Sequence, residues 1–384
     1  MEEQDFVAVR RSASALAAEF PAAYWREVDR SGHFPDAFLD AFTRAGFIST
    51  LVPEPLGGSG LGTRIGATIL EEIHAGGCDG AIAHAAMNAM TTFVRHGSDQ
   101  LRARWIPRIL SGELRFISFA VTEPDAGTDT TRITTTATRD GNAYRLNGRK
   151  MFISHALHTD LMLVLARTTP ASQAKGRTDG FSVFIVEAKQ AIGCGLIASP
   201  IATMVNHHST ELLFDDLIVP AENLVGEEGH GFRYILGGMN AERILIAAEC
   251  IGDARWFIEQ ASRYATNRTV FGRPIGQNQG IQFPIADVYA DTSAARLMIN
   301  CAADLFDVGR PCGAEANMAK LLASKASYKA GDICLQTFGG MGFAEAADVE
   351  RKFRESRLYT VAPISNNLIL SYLATHILGM PRSY

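Results

Sequence analysis

Three stretches of the chain differ in the spacing of their hydrophobic residues. In residues 1–115, apolar residues recur at helical intervals between loops rich in glycine and proline, which predicts amphipathic helices. Residues 116–228 contain short runs of Val, Ile, Thr and Phe separated by turn residues, and this pattern predicts strands. Helical spacing returns in residues 229–384. The pattern therefore predicts helices, then a sheet, then helices again.

The middle stretch predicts an antiparallel β domain. Asp140-Gly141-Asn142 and Asn147-Gly148 are typical of hairpin turns between short strands. The expected strands are Ile117–Thr122, Thr134–Arg139, Tyr144–Asn147, Leu161–Arg167, Phe181–Val186 and Glu211–Phe214.

The C-terminal stretch predicts an antiparallel helical bundle, because its long helices have short connections. Strands and helices do not alternate along the chain, so we expect no parallel sheet. The prediction is an α+β multidomain protein with domains at 1–115, 116–228 and 229–384. The expected helices of the bundle are Glu242–Ala265, Ile281–Gly309, Ala314–Phe338 and Asn366–Leu378.

Composition narrows the class of protein. The net charge of −5 over 384 residues gives no electrostatic reason to expect nucleic acid or an anionic membrane as partner. No apolar run approaches the roughly 20 residues that span a bilayer, and the acidic N-terminus does not resemble a signal peptide. The six cysteines lack metal-like spacing, so we expect free thiols in a cytoplasmic enzyme. Glu71 and Glu72 are expected on a solvated helix face.

Two segments of the middle stretch carry residues that suit a flat, polar ring. The loop TEPDAGTD follows an expected strand, and Thr122 and Thr128 contribute hydroxyl groups to it. The segment YRLNGRKMFIS places Phe152 and Ser154 two positions apart. Alternate residues share one face of a strand, so Phe152 would stack on a ring while Ser154 binds its edge. Taken alone, each segment is more typical of an ordinary turn or hairpin.

Two segments of the C-terminal stretch suit a phosphate or a nucleotide. NRTVFGRPIGQNQ joins two expected helices and contains Arg268, whose planar guanidinium can pair with a phosphate. QTFGGMGF ends a helix in glycines, and the backbone of Gly339 and Gly340 can contact a nucleotide closely. Alone, each is only weakly specific, because each also fits an ordinary helix C-terminus.

In this order and spacing, the four segments resemble the acyl-CoA dehydrogenase family over nearly the whole chain. The family motifs are TEP-x-AG-S/T-D, Y-x-x-NG-x-K-x-W/F-I-T/S, R-x-x-FG and Q-x-x-GG-x-G. The resemblance implies an N-terminal helical domain, a middle antiparallel β-barrel and a C-terminal four-helix bundle. It also implies a homotetramer, or else a homodimer, with FAD as the cofactor.

The resemblance assigns the FAD contacts to three groups of residues. One group matches the family positions at the flavin ring, a second those that reach the FAD of an adjacent subunit, and a third those on the adenosine side. The matching residues are Thr122, Thr128, Phe152 and Ser154 for the ring; Arg268, Phe271 and Gln279 for the adjacent subunit; and Gln336, Gly339 and Gly340 for the adenosine side. Ser365 and Asn367 match the FAD contacts that follow the usual catalytic glutamate.

The catalytic base is the point at which the chain departs from most of the family. Most members carry a glutamate in a Tyr-Glu-Gly-Thr motif near the C-terminus, and Pro363 occupies that position here. Glu242, at the start of a long expected helix, matches the glutamate of the isovaleryl-CoA and long-chain members. Without the resemblance, the helix macrodipole alone would favour a glutamate in a first turn.

The resemblance implies α,β-dehydrogenation of an acyl-CoA thioester. Glu242 would remove the α-proton while hydride leaves the β-carbon for flavin N5, with an electron-transfer flavoprotein as the electron acceptor. Arg243 and Thr128 match positions near the substrate. Family members bind the thioester oxygen partly with the backbone N–H at the usual glutamate, and Pro363 has none.

Three explanations remain for this missing donor. The alignment is shifted so that the N–H of Ile364 serves, another donor substitutes, or the chemistry is not ordinary dehydrogenation. Two other functions also fit the resemblance. A flavin-dependent monooxygenase of the same fold would need no α-proton base, and an accessory protein acting on carrier-bound acyl groups would not turn over free CoA thioesters.

Overall fold

The computed structural model describes residues 3–382. The chain has helical N- and C-terminal regions and a mid-chain sheet, which confirms the predicted fold class. It divides into two compact units whose segments alternate along the sequence. The helical unit comprises the described parts of Met1–His33, Leu61–His84 and Asn240–Tyr384, and the β-containing unit comprises Phe34–Gly60 and Ala85–Met239.

The helices agree well with the hydrophobic periodicity. They are α1 (Glu3–Ala18), α2 (Ala22–Ser31), α3 (Asp36–Arg44), α4 (Gly62–Ala75), α5 (Ala81–Asn88), α6 (Thr91–His96), α7 (Asp99–Leu110), α8 (Ala188–Ala191), α9 (Gly231–Asn267), α10 (Gln279–Asp307), α11 (Gly313–Phe338), α12 (Val349–Leu358) and α13 (Asn366–Tyr372). The expected bundle helices correspond to α9, α10, α11 and α13.

The start of α9 was predicted wrongly. The helix begins at Gly231 and not at Glu242. Gly237 and Gly238 each cost about 1 kcal/mol of helix propensity relative to alanine, so the sequence pattern stopped short of them, but the helix continues through both. Glu242 consequently lies inside α9, and a first-turn preference for acidic residues does not explain its position.

The core of the helical unit lies where α9, α10, α11 and α12 meet. Phe257, Val288, Ala330 and Val349 belong to one buried hydrophobic cluster there. The glycine of α11 at position 331 is part of this packing, because a Cβ atom would come within 3.2 Å of the Phe257 ring. Small residues on α11 thus let a large aromatic side chain of α9 approach its backbone closely.

The sheet of the β unit contains eight strands. They are β1 (Phe116–Ala120), β2 (Thr136–Asp140), β3 (Ala143–Ile153), β4 (Leu161–Arg167), β5 (Phe181–Glu187), β6 (Leu196–Pro200), β7 (Thr210–Pro220) and β8 (Leu224–Val225). Their order is β6-β7-β3-β2-β4-β5-β8, and β1 pairs with β4. Buried side chains from these strands, including Tyr144, Leu146 and Phe184, form one hydrophobic cluster.

Two strand pairings differ from the antiparallel arrangement that we expected. The β1–β4 pair is parallel, and so is the single β2–β4 pairing of Thr136 with Arg167. The sequence analysis ruled out parallel pairing because no helix alternates with the strands. Here the β2–β3 hairpin takes the place of that helix, since it separates β1 from β4 along the chain.

One of the two expected hairpin turns is a bulge. Asp140 pairs with Ala143, so Gly141 lies in the β2–β3 turn as predicted, with φ at +57°. Asn147-Gly148 instead lies within β3, where the pairing with β7 shifts between Leu146 and Gly148. Gly148 has φ at +147°, and a Cβ atom on it would clash with Thr135 at 2.5 Å. The glycine thus serves a close backbone approach and a bulge.

The expected solvated face at Glu71 and Glu72 was also wrong. Both carboxylates of α4 are buried, at 5% and 7% exposure. Arg255 of α9 donates to Glu71 at 2.7 Å and to Glu72 at 2.8 Å, and Arg296 of α10 lies 2.6 Å from Glu71. Partners more than 180 residues away in sequence neutralise the pair, which local periodicity could not reveal.

Candidate functional site

Glu242 is a half-buried residue within α9. Burial raises the pKa of its carboxyl group, and nearby Glu249 acts in the same direction. His84 and Arg243 oppose this change because their positive charges favour the carboxylate. A carboxyl group with raised proton affinity between charged neighbours is the electrostatic arrangement expected of a general base.

Arg243 has hydrogen-bonding capacity that the described part of the chain does not use. Its Nη1 donates to the side-chain oxygen of Asn240 at 2.9 Å. Its Nε is buried and has no hydrogen-bond partner among residues 3–382. Burial lowers the pKa of Arg243, although Glu242 acts to raise it. A buried guanidinium N–H without a partner is costly, and a substrate oxygen would satisfy it.

His84 of α5 lies beside both glutamates of α9. It is 8% exposed, and its Nδ1 makes a short hydrogen bond to Glu249 Oε1. Burial acts against the charged imidazole, but the Glu249 carboxylate overcomes this effect and raises the pKa of His84. Glu242 contributes in the same direction. His84 therefore carries positive charge more readily than an ordinary histidine.

The polar chain continues from Glu249 through the buried interior of the helical unit. Glu249 Oε2 lies 3.8 Å from His74 Nε2, and His74 Nδ1 lies 2.9 Å from Asp253 Oδ1. Lys352 Nζ lies 2.5 Å from the same Asp253 oxygen and 3.0 Å from Glu355 Oε2. Lys352 and Asp253 have fully buried side chains, so each charge depends on the others for its stabilisation.

The segment that departs from the family motif is held by Lys320 of α11. Its buried Nζ donates to the carbonyl oxygen of Ile364 at 2.7 Å and to Asn366 Oδ1 at 3.0 Å. Burial lowers the pKa of Lys320 to about 8. Ser365 caps α13 by accepting a hydrogen bond from the N–H of Leu368 at 3.3 Å. Asn367 is exposed.

The predicted flavin-ring residues belong to two segments that the β unit brings together. The N–H of Met151 donates to the carbonyl of Thr122 at 2.9 Å. Lys150 fastens the same two segments, because its buried Nζ donates to Val121 O at 2.8 Å and to Glu123 Oε1 at 3.0 Å. The four predicted residues are Thr122 and Ser154, which are half-buried, and Thr128 and Phe152, which are exposed.

Phe152 does not follow simple strand alternation. Its φ is +58°, in the left-handed region that a bulky residue rarely adopts, and its side chain is 58% exposed. The argument that Phe152 and Ser154 share a strand face therefore does not apply. An apolar ring presented at a conformationally costly position is a feature that function frequently explains.

The predicted residues for the adjacent subunit surround the end of α9. Arg268 is exposed one residue after the helix. A short hairpin of Thr269–Val270 and Arg273–Pro274 follows, and Phe271 at its tip is fully exposed. Gln279 begins α10. At the end of α11, Gln336, Gly339 and Gly340 are exposed, and Cβ atoms on the two glycines would meet nothing within 4 Å.

In each unit taken by itself, the predicted positions keep polar side chains that could contact a ligand. Their polar side chains make no hydrogen bond or ion pair with any residue between 3 and 382, except for the Ser365 hydroxyl that caps α13. The uncommitted side chains are those of Thr122, Thr128, Ser154, Arg268, Gln279, Gln336 and Asn367. Hydroxyl, guanidinium and amide groups are the donors that phosphate oxygens and ring edges require.

The sequence analysis missed His84, Glu249 and Lys320. Glu249 could have been found, because it follows Glu242 by seven residues, two helical turns later on the same face. An acidic residue in the apolar run from 244 to 250 is the signal. His84 and Lys320 have no such signal, because tertiary packing alone brings them to α9 and to the segment after Pro363.

Other kinds of site are less well supported by the described residues. No helix in residues 3–382 is long and apolar enough to cross a membrane, and no group of three or more His, Cys, Asp or Glu residues in that range suits a metal ion. All six cysteines are free thiols. A cleft of about 510 Å³ in the β unit, beside Asp215 and Asp216, contains none of the predicted site residues.

Comparison with known families decides the class of the protein. The N-terminal, middle and C-terminal domains of acyl-CoA dehydrogenase match residues 2–113, 118–217 and 229–377, respectively. The chain belongs to the acyl-CoA dehydrogenase family. It is therefore an oxidoreductase of the acyl-CoA dehydrogenase type.

Several known proteins resemble the chain over nearly its full length. The acyl-CoA dehydrogenase FadE12 of Mycobacterium tuberculosis is 33% identical over 388 residues, covering 100% of this chain and 98% of that protein. The glutaryl-CoA dehydrogenase–glutaryl-CoA complex has a TM-score of 0.91 at 28% identity, covering 100% and 97% of the two chains. The FAD complex of PigA has a TM-score of 0.91 at 26% identity, covering 99% of both.

Proposed function

We propose that this chain is an FAD-dependent acyl-CoA dehydrogenase in which Glu242 removes the α-proton of an acyl-CoA thioester. The observation that carries the proposal is the environment of Glu242, whose pKa is raised by burial within a helix. A base must be ionised in the resting enzyme and must bind a proton strongly once the substrate is present. His84 and Arg243 favour the ionised state, while burial supplies the proton affinity.

Arg243 is the proposed donor to the substrate. Its buried Nε lacks a partner in the described chain, so a thioester oxygen would gain a charge-assisted hydrogen bond there. Pro363 has no N–H to donate to the thioester oxygen, but the negative charge that develops on this oxygen still needs a hydrogen-bond donor. Arg243 would supply that donor. Thr128 is a second proposed substrate contact. The proposed subgroup is that of the members whose base lies on a bundle helix.

FAD is the proposed cofactor, and it would supply the acceptor for the hydride that leaves the β-carbon. Similarity to the FAD complex of PigA supports this proposal. The proposed contacts are those that match the family motifs: Thr122, Thr128, Phe152, Ser154, Arg268, Phe271, Gln279, Gln336, Gly339, Gly340, Ser365 and Asn367. An electron-transfer flavoprotein is the proposed electron acceptor, and the cytoplasm is the proposed location.

A homotetramer is the proposed assembly. Phe283, Tyr289 and Leu297 of α10 are each at least 59% exposed, and large exposed apolar side chains on one helix are typical of contacts with another chain. The fully exposed Phe271 is consistent with a residue that reaches a neighbouring subunit. We also propose domain boundaries at 1–115, 116–228 and 229–384, which the three family matches support.

Anaerobic mixing of the flavin-loaded protein with straight and branched acyl-CoAs tests the proposed reaction. We expect at least one acyl-CoA to bleach the flavin absorbance without any reductase, because the substrate itself supplies the electrons. A monooxygenase would stay oxidised until a reductase and a nicotinamide were added. An accessory protein would leave the flavin oxidised with every free CoA thioester, and either result would overturn the proposal.

Replacing Arg268 with alanine tests the proposed cofactor site. Charge-assisted hydrogen bonds contribute roughly 1.5–3 kcal/mol, so Arg268→Ala should weaken FAD binding by about 10- to 100-fold. Flavin content and fluorescence titration of the apoprotein measure the change. The control is Arg263→Ala, because Arg263 is an exposed arginine of α9 whose guanidinium donates to Gln260. Equal flavin retention in the two variants would refute the role of Arg268.

A further inference from the structure

His84 has an unusual position for a histidine that no family motif includes. It lies on α5, 158 residues before Glu242 in the sequence. Its Nδ1 bonds to Glu249 of α9, which follows Glu242 by two helical turns on the same face, and the charges of His84 and Glu242 interact. Both are in the helical unit. The tertiary structure therefore places an ionisable cation beside the proposed base.

The orientation of His84 is controlled by Glu249. Glu249 accepts the hydrogen bond from His84 Nδ1, so Nδ1 carries a proton and a second proton on Nε2 makes the ring an imidazolium. A neutral imidazole held in this way would keep Nε2 as an acceptor. The bond to Glu249 thus leaves Nε2 as the atom at which His84 gains or loses its charge.

The charges around His84 all favour the imidazolium. The groups that interact with it are Glu249 and Glu242, and both are carboxyl groups. The groups that interact with Glu242 are His84 from α5 and Arg243 and Glu249 from α9 itself. His84 is the cation that another helix contributes, whereas Arg243 neighbours Glu242 on the same helix.

The carboxylate that holds His84 is itself fixed. Glu249 is 1% exposed, and His74 lies on its other side with Nε2 3.8 Å from Oε2. His74 is in turn bonded to Asp253, which Lys352 neutralises. These buried groups occupy the side of Glu249 that faces away from His84. The orientation of the imidazole therefore depends on the interior of the helical unit.

We propose that the His84 imidazolium, held by Glu249, is a positioning residue that keeps the Glu242 carboxylate ionised before the substrate binds. This inference rests on the proposed role of Glu242 as base. Burial alone favours the protonated form of the base, which cannot accept a proton. The imidazolium counteracts burial while the site is empty of substrate, so the carboxyl group remains ready to accept the α-proton.

The test is the pH dependence of flavin reduction in His84→Gln, which keeps an amide donor for Glu249 but cannot be charged. An opposite charge a few ångströms away lowers a carboxyl pKa by roughly 1–3 units. Loss of the positive charge on residue 84 raises the pKa of Glu242. On acidification, the variant therefore loses activity at a higher pH than the wild type does. We expect the acidic limb of the rate profile to shift upward by about 1 pH unit.

A second measurement needs no turnover. The infrared spectrum of the ligand-free flavoprotein, minus that of Glu242→Gln, contains the carboxyl stretch of residue 242. We expect this band to titrate about 1 pH unit higher in the His84→Gln background. The matched control is His33→Gln, since His33 is an exposed histidine of the same unit. Its rate profile and its infrared titration should equal those of the wild type.

The outcomes separate this inference from the proposed function. If Glu242→Gln reduces flavin normally, Glu242 is not the base and both fail. If Glu242→Gln is inactive but folded His84→Gln keeps the wild-type acidic limb and carboxyl titration, only the role of His84 is overturned. His84→Asn carries the same expectation should the glutamine variant not fold. A lower melting temperature without a shift of the limb would show a purely structural histidine.

Discussion

Glu242→Gln should lose flavin reduction by acyl-CoA by about 10²- to 10⁴-fold, the usual contribution of a general base. Glutamine has nearly the same shape as glutamate but cannot accept the α-proton. The substitution also removes a charge whose burial is unfavourable, so the variant should fold and retain its flavin. Stopped-flow reduction under anaerobic conditions measures the rate, and flavin absorbance measures the bound cofactor.

Glu259→Gln is the control for this experiment. Glu259 is an exposed glutamate of the same helix, α9, so the change is chemically identical but distant from the charged neighbours of Glu242. We expect wild-type reduction from this variant. A Glu242→Gln protein that reduces as fast as Glu259→Gln would remove the case for Glu242 as the base.

The rate of flavin reduction by the wild-type enzyme should also fall at acidic pH, and the pH of this fall should report the pKa of Glu242. Because burial raises the pKa of this carboxyl group, its ionised fraction falls at a higher pH than that of an ordinary glutamate. Flavin reduction should therefore decline as the pH falls through the raised pKa. The His84→Gln variant tests whether the charge of residue 84 sets the pH of this decline. The Glu242→Gln variant tests whether the carboxyl group of residue 242 causes it.

Lys352→Met should destabilise the protein by about 3–5 kcal/mol, the usual effect of removing one partner of a buried ion pair. Lys352 Nζ lies 2.5 Å from Asp253 Oδ1, and it also donates to the Cys78 carbonyl at 3.0 Å. Methionine fills similar space but removes the cation that Asp253 shares with Glu355, although Glu355 keeps its ion pair with Arg351. Burial opposes the charge on Lys352, but Asp253 and Glu355 overcome this and raise its pKa.

Lys189→Met provides the comparison for this variant. Lys189 also forms an ion pair, at 2.7 Å from Asp160, but its side chain is 59% exposed. Exposed pairs contribute at most about 1 kcal/mol, so this variant should unfold near the wild-type temperature. Calorimetry or circular dichroism on heating measures both proteins. An equal melting temperature for the two variants would contradict a stabilising role for the buried network.

Much of the fold could be predicted because hydrophobic periodicity reports local structure. Leu161–Arg167 was predicted with the bounds of β4, and α11 began within one residue of its expected start. The errors arose at residues whose type usually marks a turn or a helix end but is required here by tertiary packing. Gly148 resembled a turn, but it lies at a bulge where β3 passes Thr135. Glu242 was predicted to begin a helix, but α9 begins at Gly231.

The sequence by itself determined the order of helices and sheet and the family motifs, and those motifs led to the proposal of Glu242 as the base. Those features are local, since each depends on residue types at short, fixed spacing. Only the tertiary structure decided which charges surround Glu242. His84, Glu249 and Arg243 come from two helices, and Lys352 and Asp253 are almost 100 residues apart. Electrostatic energy depends on distance and burial in space, and spacing along the chain contains neither.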